Sequence, residues 1–197
     1  MDIQKALDKG KGKVSIKGWV YRKRKQANQV FLIIRDAENV IQCIIEKDSK
    51  AFEDATKVFI ESSVEIEGEI QKEPRAPSGY EIKVKSLNIV HLGEPYKIAK
   101  DFSVEFLSDN RHLWLRSRKM TSIMKIRHTV LNAFREHYTN KGFYEFTAPV
   151  LQPTQCEGGS TLFEVKYYKE KMFLSQSAQL YSEAYIFGLE KMFVIGP

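Results

Sequence analysis

Residues 30–45 read Val30-Phe31-Leu32-Ile33-Ile34-Arg35-Asp36-Ala37-Glu38-Asn39-Val40-Ile41-Gln42-Cys43-Ile44-Ile45. Two short runs rich in β-branched residues, Val30–Ile34 and Val40–Ile45, flank a polar segment, Arg35–Asn39, suited to a hairpin turn. Upstream, Val14, Ile16, Gly18 and Val20 alternate with polar positions, the period of a half-buried strand. Downstream, Asp48–Phe59 has helical composition, with Asp48 or Ser49 as candidate N-cap. Val64, Ile66, Gly68 and Ile70 alternate again. Glu73–Gly79 holds Pro74, Pro77 and Gly79 and reads as a loop. Tyr80–Leu87 and Asn88–Leu92 supply the last strand material.

Five strands with one helix after the third is the layout of an OB-fold, a small barrel that often binds oligonucleotides. Gly93-Glu94-Pro95 marks its end, so the first domain is 1–95. Residues 96–118 read as a polar, Arg-rich connector, and 119–197 as a second domain with helices and strands. Thr121–Asn140 is predicted helical, with Ile123, Ile126, Val130, Phe134 and His137 on roughly one face. Gly142 is suited to the position just past its C-terminus. Phe143–Leu151 is extended but interrupted by Pro149, which a central strand does not readily hold. Phe163–Tyr168 and Lys171–Leu174 suit a hairpin, Ser177–Glu190 a helix, and Met192–Ile195 a further strand. A strand start just before Gly196-Pro197 predicts a piece of something longer.

The 197 residues are 43% hydrophobic and 28% charged, enough for one or two domains with real cores. The net charge of +6 favours a polyanionic partner only mildly. Its distribution says more: residues 1–27 hold nine Lys or Arg against Asp2 and Asp8. Cys43 and Cys156 match no metal or redox spacing and read as free thiols in a reducing compartment. His91, His112, His128 and His137 form no metal or triad pattern. No apolar leader and no run of about eighteen apolar residues is present, so neither export nor a membrane span is expected and a cytoplasmic location follows.

Chemistry concentrates in two places. In the barrel, Arg22, Lys23, Arg24 and Lys25 are followed by Phe31 and Gln42. A cationic cluster holds phosphates. An exposed ring stacks on an unpaired base, and a glutamine amide both donates to and accepts from a base edge. The alternative is Phe31 in the core and Gln42 as plain surface. In the second domain, Thr154-Gln155-Cys156-Glu157-Gly158-Gly159-Ser160-Thr161-Leu162-Phe163 precedes Leu174-Ser175-Gln176-Ser177-Ala178-Gln179-Leu180-Tyr181-Ser182-Glu183. A carboxylate before two glycines suits a sharply turned or mobile loop. Short polar side chains at fixed spacing can surround one small zwitterion. The alternative is a turn carboxylate at Glu157 and helix-capping serines at 175 or 177.

These segments resemble, in order, parts of the class II aminoacyl-tRNA synthetases, in the subgroup that charges aspartate, asparagine and lysine. Gly18-Trp19-Val20, Arg24, Phe31, Arg35-Asp36 and Gln42 are similar to the subgroup's anticodon-binding barrel. Arg111-His112-Leu113-Trp114-Leu115-Arg116 is similar to its inter-domain stretch. Lys141–Val150 after a long helix resembles motif 1, whose proline, here Pro149, lies at a dimer interface. The resemblance implies an incomplete class II catalytic domain over 119–197, built on a mixed, mainly antiparallel sheet with helices. It implies that Arg24, Phe31 and Gln42 contact the anticodon, with Arg22, Lys23 and Lys25 on phosphates. It further implies that Glu157 sits in a loop that closes over the amino acid and takes its ammonium, with Ser177 and Gln179 at the same end. Ser182-Glu183 resembles the asparagine-specific branch in the archaeal or eukaryotic style. A carboxylate at 183 repels an aspartate side chain and accepts from a carboxamide. The implied partners are tRNA, asparagine, ATP and a second copy of the chain, with ATP and Mg2+ held by motifs absent from these 197 residues. An aspartate-specific ligase and a non-catalytic tRNA-binding relative are the alternatives.

Overall fold

The structure, a computed structural model, describes residues 1–95, 103–154 and 162–196. By contacts the chain divides into two units, Met1–Phe102 and Ser103–Pro197.

In the first unit, β1 (Gly12–Lys25), β2 (Gln29–Arg35), β3 (Val40–Glu46), β4 (Ser63–Lys72) and β5 (Tyr80–His91) close a barrel in the order β1-β2-β3-β5-β4. This is the five-stranded OB-type barrel that the alternation predicts. The long first strand makes the closure. Gly12–Trp19 pairs with β4, and Trp19–Lys25 pairs with β2. Alternate residues point inward, among them Val14, Ile16, Val20, Leu32, Ile34, Cys43, Ile66 and Ile82, and form one core. A one-residue slip would turn this whole set to solvent, which pins the register. Gly18 sits where β1 passes from one partner strand to the other. A Cβ there would lie 2.5 Å from the Arg35 carbonyl oxygen. At Gly68 it would collide with the carbonyl of Lys83. β5 is one continuous strand over what the sequence suggests as two pieces.

Among the described residues, two helices complete the unit. α1 (Ile3–Lys9) is not anticipated by the sequence pattern. Asp2 caps it by accepting from the Lys5 N–H, and Asp36 in the β2–β3 turn accepts from the Ile3 N–H at 2.7 Å. Ile3 and Ala6 are fully buried against the barrel. α2 (Phe52–Lys57) is shorter than Asp48–Phe59. Neither Asp48 nor Ser49 is its N-cap: Ala51 holds that position with no side-chain bond, and Ser49 Oγ instead accepts from the Ala51 N–H in the preceding turn.

The second unit contains α3 (Val104–Asp109), α4 (Arg111–Trp114) and α5 (Arg118–Asn140). The first two are helical where the sequence suggests a polar connector, and Ser103 caps α3 by accepting from the Phe106 N–H. α5 starts three residues before Thr121, capped by Ser117, and ends with Gly142 at φ 78°. The extended stretch after it splits at Thr147–Pro149. β6 (Tyr144–Glu145) pairs in parallel with β10 (Met192–Phe193). β7 (Leu151–Gln152) joins β8 (Glu164–Tyr167) and β9 (Glu170–Leu174) in an antiparallel sheet of order β7-β9-β8. α6 (Gln179–Leu189) lies between β9 and β10. Aromatic pairs join the unit's elements: Tyr138 stacks on the buried Phe193, and the buried Phe146 on the exposed Tyr185, both at 5.0 Å between ring centres. No described helix is long and apolar enough to cross a membrane.

Candidate nucleic-acid face and amino-acid pocket

The outer surface of β1, β2 and β3 forms an open concavity of about 590 Å³, lined among others by Arg22, Arg24, Phe31, Gln42 and Glu81. Strand period explains the grouping. Val30, Leu32 and Ile34 point into the barrel, so Phe31 and Ile33 face outward. Pairing sets Arg24 beside Phe31 and Arg22 beside Ile33. The Arg24 guanidinium lies over the Phe31 ring, 5.1 Å from its centre. The cation keeps the ring's near face covered while both groups stay at the surface. Phe31 is therefore a half-buried surface ring, not a core residue.

The same period separates the basic residues. Lys23 also borders the concavity, but its ammonium donates to the carbonyls of Thr56 and Val58, at 2.5 and 2.8 Å, at the end of α2. Burial, and secondarily the charge of Lys25, holds its pKa below the ordinary lysine value. The Lys23 ammonium is thus committed to the protein's own backbone rather than to a phosphate. Lys25 alternates to the same side as Lys23 and is exposed.

Glu81 on β5 is the residue that sequence pattern missed. It is only 7% exposed. Its two oxygens accept from Gln42 Nε2 at 3.0 Å and from Gln71 Nε2 at 2.9 Å. Gln42 stands opposite Glu81 in the parallel β3–β5 register, and Gln71 opposite it in the β4–β5 register. Three strands therefore meet at one carboxylate. Nearby, Cys43 is fully buried, and burial first, then Glu81, pushes its thiol far above the ordinary value.

In the second unit, Thr147–Val150, Leu174–Ala178 and Val194–Gly196 line a cavity of about 540 Å³. Ser177 lines it. Its hydroxyl oxygen accepts from the Gln179 N–H at 3.3 Å, and its carbonyl accepts from Ser175 Oγ at 2.6 Å. Gln179 and Glu183 lie one turn apart on the exposed face of α6, with Gln179 Nε2 donating to Glu183 Oε1 at 3.4 Å. Ser182 turns back to the Ala178 carbonyl at 2.9 Å. Pro149 is exposed between β6 and β7. Glu157 lies outside the described residues. The structure thus brings Ser177, Gln179 and Glu183 to the start of one helix, and Arg22, Arg24, Phe31 and Gln42 to one barrel face. Among the described residues, no three His, Cys, Asp or Glu converge as metal ligands.

Comparison with known proteins agrees with this division. Residues 14–90 match the family described as OB-fold nucleic acid binding domain, and residues 103–197 match tRNA synthetases class II (D, K and N). The asparagine–tRNA ligase of Thermoplasma acidophilum is 44% identical over 188 residues, covering 94% of this chain and 44% of that protein. The asparagine–tRNA ligase of Thermococcus kodakarensis is 47% identical over 187 residues, covering 94% of this chain and 43% of that one. The crystal structure of asparaginyl-tRNA synthetase from Pyrococcus horikoshii, complexed with asparaginyl-adenylate, superposes with a TM-score of 0.89 at 38% identity. It covers 100% of this chain and 47% of that one. The chain spans less than half the length of these relatives. With an OB-fold barrel followed by a class II synthetase region, and with those relatives alike across nearly all its residues, the chain belongs to the class II tRNA synthetases of the D, K and N type.

Proposed function

We propose that this chain is the anticodon-reading barrel and part of the amino-acid site of a cytoplasmic asparagine–tRNA ligase. The observation that carries the reading is the outward cluster of Arg24, Phe31 and Gln42 on an OB-type barrel ahead of a synthetase region. Residues 1–95 act as the anticodon-binding domain. Phe31 stacks on an unpaired base, Gln42 reads a base edge, and Arg22 and Arg24 meet phosphates. Residues 119–197 carry the amino-acid pocket. Ser177, Gln179 and Glu157 supply oxygens to the substrate ammonium, which offers three donors and no acceptor. Glu183 accepts from the side-chain carboxamide and disfavours aspartate. A second copy docks through α5 and the strand at Pro149.

The ligase joins the asparagine carboxylate to the α-phosphate of ATP, releasing pyrophosphate, and then passes the acyl group to the terminal adenosine of tRNA, releasing AMP. Such chemistry rests on positioning and on neutralising phosphate charge, which Mg2+ supplies when bound.

Two measurements test the reading. Charging of tRNA by the complete gene product should proceed with asparagine; preferential esterification of aspartate would overturn the choice of amino acid. In this chain, Phe31→Ala should weaken binding of an asparagine anticodon stem-loop by about 1–3 kcal/mol. Unchanged affinity would remove the stacking role.

A further inference from the structure

Between Arg22 and Arg24, β1 has an attachment that strand pairing does not supply. Among the described residues, β1 beyond Trp19 pairs as a strand only with β2. The Lys23 ammonium adds an anchor outside that pairing, on the Thr56 and Val58 carbonyls. These carbonyls lie at the C-terminal end of α2, where a helix leaves acceptors unmatched and favours a cation. The Val58 carbonyl belongs to the same peptide group as the Phe59 N–H. That N–H donates to Ser62 Oγ at 3.1 Å. Ser62 is fully buried, and its Oγ accepts a second bond, at 2.9 Å, from the Gly93 N–H. Gly93 lies just past β5, where the chain leaves the barrel. Hydrogen bonds and one peptide plane thus run without a break from Lys23 to Gly93.

The turn between is held from further sides. Val20 accepts from the Glu61 N–H at 2.7 Å and donates to the Ser62 carbonyl at 2.9 Å. Glu61 has φ 69°, and its carboxylate pairs with Arg35 at 2.6 Å. A non-glycine residue keeps such a backbone only where its surroundings over-determine it. A Cβ on Gly93 would lie 3.0 Å from the Ser62 nitrogen, so the exit packs directly on the turn.

We propose that Val58–Ser62 is a brace, with Lys23 and Ser62 as positioning residues, that couples occupancy of the Arg22–Arg24 segment by a polyanion to the backbone at Gly93. An RNA strand held by Arg22 and Arg24 restrains the stretch of β1 that carries Lys23. The restraint passes through the Val58–Phe59 peptide to Ser62 and reduces opening of the Gly93 amide. The coupling is reciprocal, so loosening Gly93 weakens binding at the two arginines. This rests on the nucleic-acid reading of the barrel and adds a route by which binding there reaches the segment after β5.

Amide hydrogen exchange of the 197-residue chain, with and without an asparagine anticodon stem-loop at saturation, tests the brace. Without RNA, Lys23→Met should speed exchange at Phe59 and Gly93 by roughly two- to thirtyfold relative to Leu32 and Ile66 in the barrel core, the span of mutational effects along a coupled network. Ser62→Ala should speed Gly93 at least as much, and adding Lys23→Met to it should change Gly93 no further. With RNA bound, exchange at Gly93 should slow in the parent but not in Lys23→Met. Equal acceleration of Gly93 and the core amides would make Lys23 a source of global stability alone and overturn the proposal. So would additive effects of the two substitutions at Gly93, or RNA that binds the parent and leaves Gly93 unchanged; either result spares the nucleic-acid reading. Failure of the parent to bind the stem-loop would instead overturn that reading, and the coupling with it.

Discussion

At the scale of single residues, the proposed selectivity for asparagine rests on charge at short range. Glu183 and Gln179 share one exposed face of α6, and the amide already donates to the carboxylate. A substrate carboxamide can take the place of that amide as donor. A substrate carboxylate cannot, because two nearby carboxylates resist joint ionisation. Glu183→Gln keeps the shape and removes the charge. Asparagine then loses a bond to a charged group, on the order of 1.5–3 kcal/mol, and aspartate loses the repulsion. In the complete gene product the ratio of kcat/KM for asparagine over aspartate should fall roughly ten- to a hundredfold. A ratio within about twofold of the parent would make Glu183 a surface helix residue, since a twofold change is below the free energy of one such bond.

At the scale of elements, how much the sequence discloses follows from period. The barrel strands were legible because one face is buried and the other wet, so alternation survives in the residue order. The same alternation places Arg22 and Arg24 together, while the Lys23 ammonium goes to the end of α2, a distinction that composition alone blurs. α1 was hidden because it is only seven residues long and is anchored by just Ile3, Ala6 and the partly buried Leu7. Glu81 was hidden for another reason. A glutamate on a strand reads as solvent-facing, and its partner Gln42 is 39 residues away, so only the closed barrel brings them together. The candidate amino-acid residues Ser177, Gln179 and Glu183 follow one another around one helix start and were readable in order. Their joint geometry was not, because it depends on how Thr147–Pro149 divides the strand between two sheets.

β4 shows the same element-level logic in its titration. Glu65 and Glu69 are held below the ordinary carboxylate value, Glu65 by hydrogen bonds from Lys17 and then Asn88, Glu69 by one from Lys85. Depressed carboxylates stabilise the folded barrel above the unfolded value, about 4.5, and that contribution is lost as pH falls through the lower folded values. Thermal unfolding should therefore be nearly flat from neutral pH down to about 4.5 and decline below it. Replacing Lys17 and Lys85 by Met should give a small loss of stability at neutral pH that shrinks in high salt and closes in acid. A gap that persists at low pH would assign it to lost packing of the lysine stems.

At the scale of the whole molecule, the net charge of +6 matters less than which cations are already engaged. Lys5 sits on Asp2 and Lys17 on Glu65, and the Lys23 ammonium is spent on backbone carbonyls. Arg22 and Arg24 form no ion pair among the described residues; each lies against an aromatic ring, Tyr21 or Phe31. A cation over a ring keeps its charge for a phosphate, whereas one on a carboxylate must first give that partner up. Only the first kind releases counterions in full when nucleic acid binds. For a single strand each phosphate contact contributes about 0.7 to the slope of log K against log salt. Arg22→Gln together with Arg24→Gln should therefore make that slope less steep by about 1.4, two contacts at about 0.7 each. Lys5→Gln with Lys17→Gln, which removes the same formal charge, should leave it nearly unchanged. Equal flattening by the two pairs would mean that the barrel attracts RNA through its net charge alone, with no distinct phosphate track along β1.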